Sequence, residues 1–272
     1  MNKKQSVFQV VTIALLGVLL LSACGTGAAS KDDITTLKVS TVSVPHAEIL
    51  EEIASDLEQD GVKLDLSILS DGIQANQQTA DEQFDVNFFQ HTPYLEQVNE
   101  DSGLDLVEVA GVHIEPFGVY SQSIENLDEL ANKAKIALPK DPVNFSRALE
   151  LFDANEIVEL EADVAGDYTL QHIAKNDKEI EFVPVDSELL VHALDDVDAA
   201  AINTNYALEG DFNPLEDALI IEGNESPYVN ILVARPDNKE DEAVQTLVKH
   251  LQSDKVKQFI EAEYKGAVVP AF

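Results

Sequence analysis

Positive charge is scarce in this chain: 17 lysines and arginines stand against 51 aspartates and glutamates in 272 residues, a formal net charge of −34. That balance excludes a nucleic-acid partner, whose phosphates need cations, and excludes a domain lying flat on anionic lipid. A single cysteine, Cys24, excludes a disulfide framework and a cysteine-rich metal site. No GxSxG, SxxK, phosphate-loop or GxGxxG pattern occurs, so neither an enzyme nor a cofactor is indicated. The histidines form no HxH or HExxH pair, and no internal repeat is present. Arginine occurs only twice, as Arg147 and Arg235, which makes each position informative.

Only one long apolar run exists, Val7 to Leu21, and it is too short for a comfortable transmembrane helix. Lys3 and Lys4 precede it and small residues follow, the pattern of an export signal. Its end, Leu21-Ser22-Ala23-Cys24, resembles the lipobox of bacterial lipoproteins, which implies that Cys24 is lipidated and becomes the first mature residue. Each buried acyl methylene contributes roughly 0.8 kcal/mol, so two chains hold a protein where one only visits. The expected order is therefore a signal peptide over 1–23 and a lipidated tether over 24–35, flexible from Gly25 to Asp33, anchoring the protein to the cell membrane on the extracytoplasmic face. Removing residues 1–23 takes away two lysines and moves the formal charge to −36. That acidity keeps a tethered domain soluble but names no ligand.

From Leu37 the pattern alternates between periods of two and of about 3.6. Leu37–Val42 reads as a strand, and Pro45 opens a helix with Ile49, Ile53 and Leu57 on one stripe, stopped by Asp60-Gly61. Val62–Ile68 is a strand, Gln74–Glu82 a helix and Phe84–Phe89 a strand. A second series follows: strand Lys135–Leu138, a helix over Phe145–Ala154 capped by Asn144, strand Glu181–Val185, a helix from Ser187 and strand Asp198–Ile202. Two such βαβ series predict two α/β lobes with mostly parallel sheets and ligands at the strands' carboxyl ends. The expected fold class is α/β in two lobes with a ligand cleft between them, an arrangement that resembles the periplasmic-binding-protein fold of type II. Lobe 1 spans 36–115 and 226–272, lobe 2 spans 116–225, Val112–Tyr120 and Tyr228–Ala234 are the crossings, and the last two helices pack on lobe 1.

Four stretches fall where cleft residues belong. In KDPVNFSRAL, Arg147 lies at a helix start, where its fork and the free N–H groups suit a small carboxylate; a surface ion pair is the alternative. In Asn87–Tyr94, three aromatics and His91 gather at a strand's end, able to line a side-chain pocket and to contact a thioether sulfur. Phe84 and one of Phe88 or Phe89 belong to the core, since neighbours on a strand face opposite ways. Asn203 and Asn205 offer two amides for an α-amino or α-carboxylate group, with one of them available as a helix cap. Asn230 interrupts an apolar strand and needs either a ligand or a structural partner.

These stretches, with Pro45–Leu50, Val112–Pro116, Ile202–Leu208 and the closing KGAVVPAF, run in order through the chain, which resembles the NlpA-type lipoproteins, the methionine-binding components of ABC importers. The resemblance implies a methionine receptor, for the L and also the D form, that delivers its ligand to a permease driven by an ATPase. It implies that Arg147 grips the ligand carboxylate, that Asn205 and Asn230 hold its backbone polar groups, that Phe88, His91 and Tyr94 surround its side chain, and that Asn144 and His113 assist. Two departures stand out. Gly72-Ile73 follows Ser70-Asp71 where the family commonly has an aromatic, and Val143–Ser146 stands where it often has threonine and glycine. A lost ring removes roughly 1 to 3 kcal/mol of apolar contact and leaves space. Another amino acid or a Met-containing dipeptide is the alternative ligand. A zinc receptor using His46, His91 and His113, an exported enzyme and a surface-interaction role are the rivals from other classes.

Overall fold

The computed structural model describes residues 34–69, 72–223 and 225–272; the export signal, Cys24 and the tether up to residue 33 lie outside the described residues. Among the described residues no helix is long and apolar enough to cross a membrane. The chain opens with β1 (Thr35–Thr41), followed by α1 (Glu48–Gln59), β2 (Val62–Ile68), α2 (Gly72–Ala80), β3 (Val86–His91), α3 (Thr92–Ser102) and β4 (Val107–Ile114). In α1, Ile49, Leu50, Ile53 and Leu57 are fully buried, whereas Glu48 and Glu51 occupy the first turn, where the helix dipole favours carboxylates. Helix crossovers force parallel pairing, so β1 lies parallel to both β2 and β3, with Val39 opposite Leu66 on one side and Val86 on the other.

After β4 the chain crosses at Glu115–Phe117 into a second sheet. That sheet collects β5 (Gly118–Tyr120), β6 (Lys135–Pro139), β9 (Glu181–Val185), β10 (Ala199–Ile202) and β11 (Ile220–Ile221), while β7 (Glu159–Leu160) and β8 (Ile173–Lys175) pair separately. Helices α4 (Pro142–Ala154), α5 (Leu190–Ala193), α6 (Thr204–Glu209) and α7 (Pro214–Asp217) connect its strands. The chain returns through residues 222–228 to β12 (Val229–Ala234), then α8 (Glu242–Leu251), α9 (Asp254–Tyr264) and β13 (Val269–Pro270). The sheet orders are β13-β4-β12-β3-β1-β2 and β11-β5-β10-β6-β9, the two sheets of a two-lobed fold. Each sheet is mixed rather than mostly parallel. Strands reached by a helix crossover run parallel, but β12 returns antiparallel to β3 and β4, and β5 runs antiparallel to β10 and β11. The crossings are accordingly shorter than Val112–Tyr120 and Tyr228–Ala234, because most of those residues are ladder strands.

Each sheet is packed on both faces, one cluster being the larger in each case. Val39, Ile53, Val86 and Phe88 pack with Leu247, Leu251, Val256 and Ile260 of the closing helices, and Ile136, Leu138, Leu149, Phe152 and Ala199 form the core of the second sheet. Phe152 has no exposed surface, and its ring lies 5.6 Å from that of Phe182. Phe152→Ala is expected to lower unfolding free energy by about 3 to 5 kcal/mol. Urea denaturation of the leaderless domain checks this; a loss below about 1 kcal/mol would mean that the second core does not depend on this ring.

Candidate functional site

Helix α4 begins one turn earlier than its expected cap. Pro142 takes the first helical position and Asp141 is the N-cap, its carboxylate accepting the Asn144 N–H at 2.9 Å. Asn144 therefore lies inside the first turn instead of capping it, because an aspartate followed by proline starts a helix at least as well as asparagine. Its side chain is freed for other work. The Asn144 Oδ1 accepts from His91 Nε2 at 3.1 Å and from Asn203 Nδ2 at 3.0 Å, and its Nδ2 donates to Asp141 at 2.9 Å. One carbonyl oxygen thus joins the end of β3 to α4 and to the residue before α6.

His91 is held from both sides. It caps α3, its Nδ1 accepting the Tyr94 N–H at 3.2 Å, with Pro93 in the first turn behind it. An accepting Nδ1 leaves the proton on Nε2, where it points at Asn144. Burial, reinforced by the charge of Arg147, pushes the imidazole pKa down to about 3, so the ring is neutral at physiological pH.

Between these groups lies a cavity of about 280 Å³. Gly72, Phe89, His91 and Tyr94 line it from the first sheet; Asp141, Asn144, Asn203, Asn205 and Tyr206 line it from the second. Lys140 and Asp186 form an ion pair in the same wall. The wall thus has an aromatic end, with Phe89 and Tyr94 edge to face at 6.3 Å, and an amide end. Asn203 precedes α6 at the N-cap position but makes no capping bond, and its Oδ1 is buried with no partner among the described residues.

Several expected site residues sit elsewhere. Phe88 is fully buried in the first core, edge-on to His46 at 4.7 Å and His113 at 5.5 Å; its neighbour Phe89 faces the cavity, since the strand's parity sends only one of them there. Asn230 does not line the cavity: its Oδ1 bonds His46 Nε2 at 3.0 Å, a structural partner. His113 bonds Glu115 at 2.8 Å behind the cleft, and Glu115 in turn accepts the Asn205 N–H at 3.0 Å. Arg147 is 3% exposed and lies outside the cavity wall. Its Nε and Nη2 grip Glu222 at 2.7 and 2.5 Å, Nη2 also donates to the Glu115 carbonyl at 2.9 Å, and the Tyr228 ring covers the guanidinium at 4.1 Å. Asn144, Asn203, Asn205, His91 and Tyr94 are brought together. Asp141, Glu115 and Glu222 escape a sequence reading, Glu222 because nothing separates it from the other acidic side chains, and the resemblance points to Phe88 where the strand presents Phe89.

Two of the three scattered histidines converge and the third does not. His46, His113 and Glu115 offer ligand atoms within 4.8 Å of one another, with His46 Nε2 bonded to Asn230 and His113 Nε2 to Glu115. Both Nδ1 atoms are buried without a partner among the described residues, whereas His91 is bonded to Asn144 and Tyr94.

Burial pushes the pKa of His46 down to about 4 and that of His113 to about 3, against about 6.5 in an unfolded chain. Below about pH 6.5 the unfolded state takes up these protons and the folded state does not, so stability is complete at neutral pH and falls as pH drops. Each of His46, His91 and His113 contributes a slope of about 1.4 kcal/mol per pH unit. Burial pushes Glu115 the other way, so it gains a proton in the folded state and offsets part of the loss. The urea midpoint, measured at high salt to screen the excess carboxylates, should be flat at and above neutrality and fall from about pH 6.5 toward pH 4. A midpoint unchanged across that window would show these imidazoles to be solvated.

A model of the NlpA lipoprotein family matches residues 37–272. The methionine-binding lipoprotein MetQ of Bacillus subtilis is 37% identical over 266 residues, covering 94% of this chain and 97% of that protein. The D-methionine-binding lipoprotein MetQ of Yersinia pestis is 34% identical over 258 residues, covering 94% of each. Among solved structures, a nutrient-binding protein from Burkholderia cenocepacia bound to methionine is 36% identical with a TM-score of 0.84, over 87% of this chain and all of that one.

Proposed function

The chain belongs to the NlpA lipoprotein family, and we propose that it is the solute receptor of an ABC importer, closing two lobes around methionine without chemistry. The observation that carries this reading is the cavity between the two sheets, aromatic at one end and amide-lined at the other, with the buried Asn203 Oδ1 left without a partner among the described residues. A zwitterionic amino acid with an apolar side chain fits that division. Its ammonium meets Asn203 Oδ1, and its side chain lies against Phe89 and Tyr94. Its carboxylate sits at the Asn144 and Asn205 end, toward Arg147. The bonds to Glu222 and Glu115 use the Nε hydrogen and both Nη2 hydrogens of the arginine, leaving Nη1 for the ligand.

The lobes are 36–115 with 226–272, and 116–225. Ligand bridging them stabilises the closed form by its differential affinity for that state. The closed complex then docks on a permease driven by a cytoplasmic ATPase, with lipidated Cys24 keeping the receptor on the extracytoplasmic face of the cell membrane. Names of relatives mention both methionine and D-methionine, so both enantiomers belong in the test, with Met-containing dipeptides and zinc as the competing ligands.

Arg147→Ala is expected to weaken methionine binding by about 2 to 5 kcal/mol in calorimetry of the leaderless domain. That variant also strands the Glu222 carboxylate, so Arg147→Ala with Glu222→Gln separates binding from folding. A folded double variant with unaltered methionine affinity would remove Arg147 from the site. Zinc binding with no amino-acid response would replace the reading altogether.

A further inference from the structure

Gly72 opens α2 at the aromatic end of the cavity, where its bare backbone is in contact with a ring. A Cβ built on it would lie 2.5 Å from Phe89 Cε2, 3.2 Å from Phe89 Cζ and 3.3 Å from the Tyr94 hydroxyl. The space expected to stand open where a side chain is missing is therefore taken by Phe89. The backbones on either side are not free to separate. Asn76 of α2 donates to Gln90 Oε1 at 2.9 Å and accepts from Gln90 Nε2 at 2.7 Å and Asn87 Nδ2 at 3.0 Å, a buried amide network that ties α2 to β3. A side chain at position 72 would have to be relieved by the Phe89 ring itself, which is only partly buried. The open volume beside that ring is the cavity, which Phe89 and Gly72 both line.

We propose that Gly72 is a specificity-determining residue: it seats the Phe89 ring against bare backbone, keeping it out of the cavity, so that the receptor accepts free amino acids with apolar side chains bulkier than the unbranched thioether of methionine. This rests on the amino-acid receptor reading. An alanine at 72 turns the ring inward and narrows the pocket, and the narrowing acts through Phe89, the side chain that its Cβ meets first.

The test is calorimetric titration of the full leaderless domain with L-methionine, L-ethionine and L-phenylalanine, for the parent chain and for Gly72→Ala, Phe89→Ala and the double variant. The parent should bind L-ethionine, which is one methylene longer, at least as well as L-methionine. Gly72→Ala should weaken the bulkier ligands relative to methionine by about tenfold or more, and should change that ratio by less than about twofold when Phe89 is already alanine. An unchanged ratio in Gly72→Ala, or an equal change in both backgrounds, overturns the proposal. Failure of the parent to bind any amino acid overturns the receptor reading instead. The contact itself is read without ligand: Gly72→Ala should lower Tm in the parent and not in the Phe89→Ala chain, and equal shifts in both would show that the ring does not rest on residue 72.

Discussion

The structure depends on one buried guanidinium. Arg147 projects from α4 to the place where both crossings between the sheets pass, and it bonds each of them: the Glu115 carbonyl in the first and the Glu222 carboxylate in the second. A charge this deep in the protein needs a counter-charge and hydrogen-bond acceptors, and the bidentate grip supplies both in a planar geometry that lysine cannot reproduce. Phe117 and Tyr228, one from each crossing, cover its faces at 5.1 and 4.1 Å. The two connections are thereby held to a single side chain of the second sheet.

Around that pair, Glu115 gathers further polar groups from both sheets. Its carboxylate accepts from His113 and from the Asn205 N–H, while Thr204 donates to the Pro116 carbonyl at 2.5 Å, so the first turn of α6 is docked on the crossing. His46 reaches the same carboxylate at 3.5 Å and bonds Asn230 in β12. Histidines and amides suit this place because they supply donors and acceptors without adding net charge to a low-dielectric interior. The cavity in front continues the same chemistry. Asn144 serves both sheets with one oxygen, and His91 presents an imidazole kept neutral by burial and by the charge of Arg147, with the cap it makes for α3 placing the proton on Nε2.

Much of this was legible in the amino-acid order. The alternation of apolar periods from Leu37 onward produces two α/β sheets, and the stripe Ile49, Ile53, Leu57 is buried as a helix face. His91, Tyr94, Asn144, Asn203 and Asn205 stand at strand ends and helix starts, and all five line one cavity. Strand parity between Phe88 and Phe89 was not legible, because both are aromatic and the β3 register is set by its neighbours β1 and β12. Nor was the cap of α4, where Asp141 and Asn144 are both good candidates and the Pro142 position decides.

Local order thus determined which elements form and which residues stand at their ends, because caps, turns and apolar periodicity act over a few neighbours. Tertiary structure alone decided partners that are distant in the chain. Arg147 meets a carboxylate 75 residues away, Asn230 meets a histidine 184 residues away, and the Phe89 ring lies on Gly72 because an amide network fixes α2 against β3. Which of many acidic side chains neutralises a buried arginine, and which side of a strand faces a cavity, depend on where the elements pack, and that information is carried by the assembled cores rather than by any one stretch.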